Sequence, residues 1–133
     1  MSNLILYAFI GLVILFVLYS KGIILADFDF ISPKEAKEII ENKENNVTIL
    51  DVRTAVEYDT VGHIKNAILI PVQELEARLD ELAKFKNRKI LVYCASGSRS
   101  VSASRILKKH NFTPYNMNGG ISGWKSSGYG VSK

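Results

Sequence analysis

From Leu4 to Tyr19 every residue is apolar, aromatic or glycine (LILYAFIGLVILFVLY); Ser20, Lys21 and Gly22 follow, then IILA. A helix apolar on all faces finds no cover in one small domain. Residues 4–26 reach the length of about 20 residues that a membrane span needs, provided Lys21 snorkels toward the headgroups. Residues 1–26 are therefore predicted to form an N-terminal membrane anchor in contact with the lipid bilayer. A cleaved signal peptide is the rival, but only MSN precedes the run and Ile24 stands where a small residue would be wanted. No Lys or Arg lies before the anchor, while Lys21, Lys34 and Lys37 follow it. The positive-inside bias then predicts a single-pass protein with a cytoplasmic C-terminal domain.

Beyond ADFDF (26–30), read as the junction, residues 27–133 show a different pattern. SPKE opens a helix: Ser32 caps, Pro33 suits the first turn, and Glu35 completes a capping box, with Ala36, Ile39 and Ile40 facing inward. NVTILDV (46–52), AILIP (67–71) and KILVYC (89–94) are short β-branched or aliphatic runs bounded by polar residues, and predict buried strands. Val72, Leu75, Leu79 and Leu82 share one helical face. A helix over 98–110 ends in Lys108, Lys109 and His110, with Asn111 as a left-handed stop. PYNMNGG (114–120) predicts a last strand and turn, then a short helix near Trp124. Strands alternating with helices predict an α/β domain with a mainly parallel central sheet flanked by helices.

Composition narrows the function. One cysteine excludes an internal disulfide and a cysteine-rich metal site. Setting Lys21 aside leaves 16 basic against 13 acidic residues. That excess does not argue for nucleic-acid binding, but it suits the attraction of small anions. KFKNRK (84–89) reads as a solvated turn.

The cysteine sits in YCASGSRS (93–100), at the carboxyl end of a predicted strand. Ligands of open parallel sheets bind beyond such ends. A buried, inert cysteine is the plain alternative. Against it, Ala95, Ser96, Gly97 and Ser98 are small enough for their N–H groups to face one centre, and a helix begins near Ser98. A cradle of this kind stabilises a thiolate and anything anionic attached to it. Arg99 adds a permanent charge with a fork that fits oxyanions.

DVRTAVEYDTVGHIKNAILIP (51–71), CASGSR (94–99) and MNGGISGW (117–124) together resemble the single-domain rhodaneses, which are sulfurtransferases. The likeness covers nearly all of residues 29–130. The first stretch matches at Asp51, Arg53, Glu57, Tyr58, Gly62, His63, Ile64, Ala67 and Pro71, and the last at Gly119, Gly120, Gly123 and Trp124. The resemblance implies that Cys94 is a nucleophile that takes sulfane sulfur from an anionic donor such as thiosulfate. It would hold the sulfur as a persulfide and pass it to cyanide or a cellular thiol; no cofactor or metal is implied. Carried over by position, backbone amides from Ala95 to Arg99 surround the persulfide, and Arg99 helps hold the donor. Ala95 stands where many thiosulfate-using members have arginine, which sets this loop apart.

Asp51 and Arg53 are expected to brace loops by hydrogen bonds and ion pairs, with Glu57 supporting them. His63 is expected to pack, His110 to lie at a helix end, and Trp124 to belong to the core. The competing functions are a cysteine-loop phosphatase, an arsenate reductase and a non-catalytic membrane-tethered module of the same fold. Related phosphatases place five residues between cysteine and arginine, whereas four stand here. A reductase would need a thiol from another chain to resolve its intermediate.

Overall fold

The computed structural model describes residues 2–133. Helix α1 (Ser2–Ser20) is followed by β1 (Asp29–Ile31), α2 (Pro33–Glu41), β2 (Thr48–Asp51), α3 (Ala55–Thr60) and β3 (Ile68–Leu69). Then come α4 (Val72–Leu75), a 3-10 stretch (Glu76–Phe85), β4 (Lys89–Tyr93), α5 (Ser98–Lys109), β5 (Thr113–Met117) and α6 (Gly120–Ser126). The five strands form one sheet in the order β1-β5-β4-β2-β3, every neighbouring pair parallel. The α/β class expected from the alternation is the one found.

Side chains of the central strands alternate between two apolar layers. Leu50, Ile90 and Val92 face α4, the 3-10 stretch and α5, where they meet Leu75, Leu82, Ala103 and Leu107. Ile49, Leu91 and Tyr93 face the opposite layer with Ala36, Ile121 and Trp124. The small residues of α5 explain its close seat: Ser100, Ala103 and Ser104 are fully buried. The Ser32–Glu35 capping box starts α2 as expected, and Asn111, at φ 68°, stops α5.

Three elements differ from the expectation. The end of the junction ADFDF runs into β1 (Asp29–Ile31), a three-residue edge strand in which only Ile31 is buried, too short to show a period. Residues 55–60 form α3, whose Thr54–Glu57 capping box repeats the signature at Ser32. Beyond Leu75 the predicted helix winds tighter and breaks at Arg78 (φ −117°, ψ 18°), where the guanidinium is drawn to Glu74 and Glu81. Leu79 and Leu82 still reach the core.

Helix α1 has no buried residue and by length and composition can cross a membrane. Its end is fixed. Ile23 N–H bonds Leu18 O at 2.9 Å and Gly22 N–H bonds Tyr19 O at 3.0 Å, around Gly22 at φ 73°. This is a Schellman cap, which needs glycine at its left-handed position.

Two ion pairs knit the sheet's carboxyl end. Arg53, only 1% exposed, donates from Nη2 to Asp51 at 2.7 Å and to Gly62 O at 2.7 Å. Glu57 on α3 meets Arg99 on α5 with two bonds of 2.6 and 2.8 Å. The Arg99 bonds hold the Glu57 carboxyl down at about 2, against an ordinary 4.5. A carboxyl whose folded pKa is depressed stabilises the fold above its unfolded value, and that stabilisation drains away as pH falls toward the folded value. The pair is therefore fully effective above about pH 4.5 and is lost between there and about pH 2. Thermal melts should show the Glu57→Gln protein less stable than the parent at pH 6 and close to it near pH 2; a constant gap across that window would show that the pair contributes nothing.

Candidate functional site

Cys94 follows the last residue of β4, and its side chain is 1% exposed. The Gly97 N–H reaches Sγ at 3.1 Å, so the turn folds back over the sulfur. Gly97 adopts φ 139°, a left-handed value, while a Cβ there would meet nothing within 4 Å. The requirement for glycine is one of backbone conformation alone. Gly97 is also the N-cap of α5 and supplies no side-chain cap. The first N–H groups of a helix lack intrahelical partners, so this end is open to an anion at the sulfur.

Ser100, on the first turn of α5, places Oγ 3.3 Å from Sγ and 3.2 Å from Gly97 O. Sequence reasoning did not single it out. Its signal was the spacing, since a residue on the first turn of a helix packed against the strand end must face the strand's last side chain. A hydroxyl both donates and accepts. It can take the thiol proton's hydrogen bond, or turn and donate to a sulfur anion.

The loop carbonyls are held on the opposite side. Ile121 N–H bonds Cys94 O at 2.9 Å and Ser122 N–H bonds Ala95 O at 3.2 Å. Gly120 (φ 57°) permits this approach: a Cβ there would lie 2.7 Å from the Ala95 carbonyl carbon. In a trans peptide the C=O and the following N–H point in opposite directions. Fixing those carbonyls onto α6 therefore turns the N–H groups of Ala95 and Ser96 away from α6.

The remaining site residues form a second ring. Both terminal nitrogens of Arg99 engage Glu57, and this bond, against the opposing effect of burial, holds the guanidinium above its ordinary pKa. Arg99 thus ties the loop's end to α3. Asp51 and Arg53 pair with each other beneath the loop, and the Arg53 guanidinium lies 5.6 Å from the Tyr93 ring centre. Glu57 therefore meets Arg99 rather than the Asp51–Arg53 pair. His63 stacks on Tyr58 at 3.6 Å, its Nδ1 3.1 Å from Tyr58 O. His110 lies at the end of α5, 3.6 Å from Glu76, and Trp124 is buried with Nε1 donating to Gly130 O. The site is a sulfur at a strand end, met by the Gly97 amide and a hydroxyl and closed by an ion pair.

Comparison with known proteins agrees with this layout. The family described as "Rhodanese-like domain" matches residues 32–127. The tRNA uridine(34) hydroxylase of Buchnera aphidicola is 35% identical over 97 residues, covering 69% of this chain and 30% of that protein. A putative sulfur carrier protein, YrkF, of Bacillus subtilis is 39% identical over 82 residues, covering 62% of this chain and 42% of its own length. The chain thus spans less than half of either relative. The crystal structure of a rhodanese-related protein from Thermoplasma volcanium superposes with a TM-score of 0.71 at 32% identity, covering 79% of this chain and 98% of that one. With fold, loop and matched residues in agreement, the chain belongs to the rhodanese-like domain family.

Proposed function

We propose that this chain is a sulfurtransferase that carries sulfane sulfur on Cys94, with thiosulfate or a similar anion as donor and cyanide or a thiol as acceptor. The observation that carries the proposal is the Gly97 N–H at 3.1 Å and the Ser100 Oγ at 3.3 Å from Sγ, in a loop that closes in six residues.

In the first half-reaction the Cys94 thiolate attacks the outer sulfur of thiosulfate. The new S–S bond forms as the old one breaks, and sulfite leaves with the electron pair. The terminal sulfur now carries the negative charge, which the loop's N–H groups and the Ser100 hydroxyl stabilise. In the second half-reaction the acceptor's lone pair attacks that terminal sulfur. The S–S bond breaks toward Sγ and restores the thiolate, while cyanide leaves as thiocyanate or a thiol as its persulfide. Neither half requires a general base once the cysteine is a thiolate, which suits a site where His63 is occupied by Tyr58. Arg99 contributes through its hold on Glu57, which fixes the last residue of the loop.

We further infer that α1 anchors the protein in a membrane, with the domain on the cytoplasmic side. Its apolar side chains are exposed along its length, and water is a poor partner for them.

Cys94→Ser should abolish thiosulfate:cyanide sulfur transfer in a protein that still folds, since serine without a base is a poor nucleophile. Retained activity in that variant would overturn the mechanism. A glycine inserted between Gly97 and Ser98 should lower transfer by roughly a hundredfold, because displacing stabilising donors by about 1 Å carries that cost. The parent should leave an aryl phosphate unhydrolysed; turnover of phosphate without sulfur transfer would favour the phosphatase class instead. For location, the full chain should stay with membranes through high-salt and carbonate washes, as hydrophobic insertion is insensitive to salt. Its release by carbonate would remove the anchor.

A further inference from the structure

A cavity of about 290 Å³ lies beside the 94–99 loop, and one of its walls belongs to the segment that leaves α1. Ser96, Gly97 and Ser98 line it from the loop, Asn116 and Asn118 from the end of β5, and Lys21 from the α1 cap. Gly97 is common to cavity and nucleophile, since its N–H is the group that meets Sγ. A guest in this space touches the residue whose N–H meets Sγ, while Cys94 itself does not line the cavity.

The placement of Lys21 is built into the fold. It follows the last residue of α1 and directly precedes Gly22, the left-handed position of the Schellman cap. The cap is pinned to α5 by Arg105, whose guanidinium stacks 3.7 Å from the Tyr19 ring centre and donates to Ile24 O at 2.9 Å. Gly22 packs where a Cβ would run into Phe30, with Val101 behind it. Lys21 itself is exposed and makes no salt bridge among the described residues.

Two further observations bear on what the cavity can hold. Asn116 is 1% exposed, yet no protein donor reaches its Oδ1. A buried carbonyl oxygen left without a donor is uncommon, and it leaves room beside the carboxamide for a water or a guest's own donor, not for the anionic atoms themselves. Second, the loop's own cation is occupied, because both terminal nitrogens of Arg99 lie on Glu57 and Ala95 brings no charge. The cavity's one lysine therefore carries its only full positive charge.

We propose that Lys21 is a specificity-determining residue: it draws an anionic sulfur donor into this cavity, with the Nδ2 groups of Asn116 and Asn118 and the hydroxyls of Ser96 and Ser98 as the donors available to it. The proposal rests on the sulfur-transfer function above and gives the membrane-proximal segment a part in substrate choice. An anionic donor meets Lys21 in the cavity and reaches the loop at Gly97.

The test is thiosulfate binding by calorimetry to the full-length Cys94→Ser protein in a maltoside detergent, where no lipid phosphate competes for the cavity. Adding Lys21→Gln should weaken binding roughly fivefold, the scale of one partly exposed charge pair. Lys21→Arg should keep the affinity, and salt should weaken the parent more than the Lys21→Gln variant. No measurable binding, or equal binding with and without Lys21, overturns the proposal. Binding that depends on Lys21, together with no sulfur uptake by the unsubstituted chain exposed to thiosulfate, would sustain the anion site and remove the transfer function. Sulfur uptake with no dependence on Lys21 would do the reverse.

Discussion

The structure turns on the close passage of one backbone over another, where Gly120 comes against the carbonyls of Cys94 and Ala95. Only a residue without Cβ, at φ 57°, allows the N–H groups of Ile121 and Ser122 to take those carbonyls. Once the carbonyls face α6, peptide planarity sends the following amides the other way. The two glycines of the site thus divide its work: Gly120 fixes where the loop's oxygens go, and Gly97 turns the chain so that its own N–H meets Sγ.

Everything around this passage holds it still. The buried Asp51–Arg53 pair ties the end of β2 to Gly62 O, and the Glu57–Arg99 pair ties the loop's last residue to α3. Removing one partner of a buried pair costs about 3–5 kcal/mol, because the other charge is left without compensation. The pair therefore contributes to stability at the carboxyl end of β2. Ser100 and the open N-terminus of α5 complete the surroundings of the sulfur.

Much of this was legible in the sequence, and the remainder has physical reasons. The central strands and α5 announce themselves because buried β-branched runs and a Ser/Ala-rich helix face have few other uses. The Cys94 loop was legible because small residues between a strand and a helix leave amides bare. β1 was hidden because three residues carry no period, and its place depends on pairing with β5. α3 was hidden by its length, although Thr54 and Glu57 carry the capping signature that marked α2. The Glu57–Arg99 contact joins residues 42 apart in sequence, and local patterning cannot see such a partner. Lys21 was read as a snorkelling residue; its position at a cavity wall emerges only when the α1 cap docks on α5.

The central claim is that this loop holds a terminal sulfur on Cys94. Intact mass spectrometry of the full chain after exposure to thiosulfate tests it most directly. One added sulfur atom, localised to Cys94 and removed by cyanide, is the predicted result. An unchanged mass in a folded protein whose Cys94 still reacts with a small alkylating agent would contradict it.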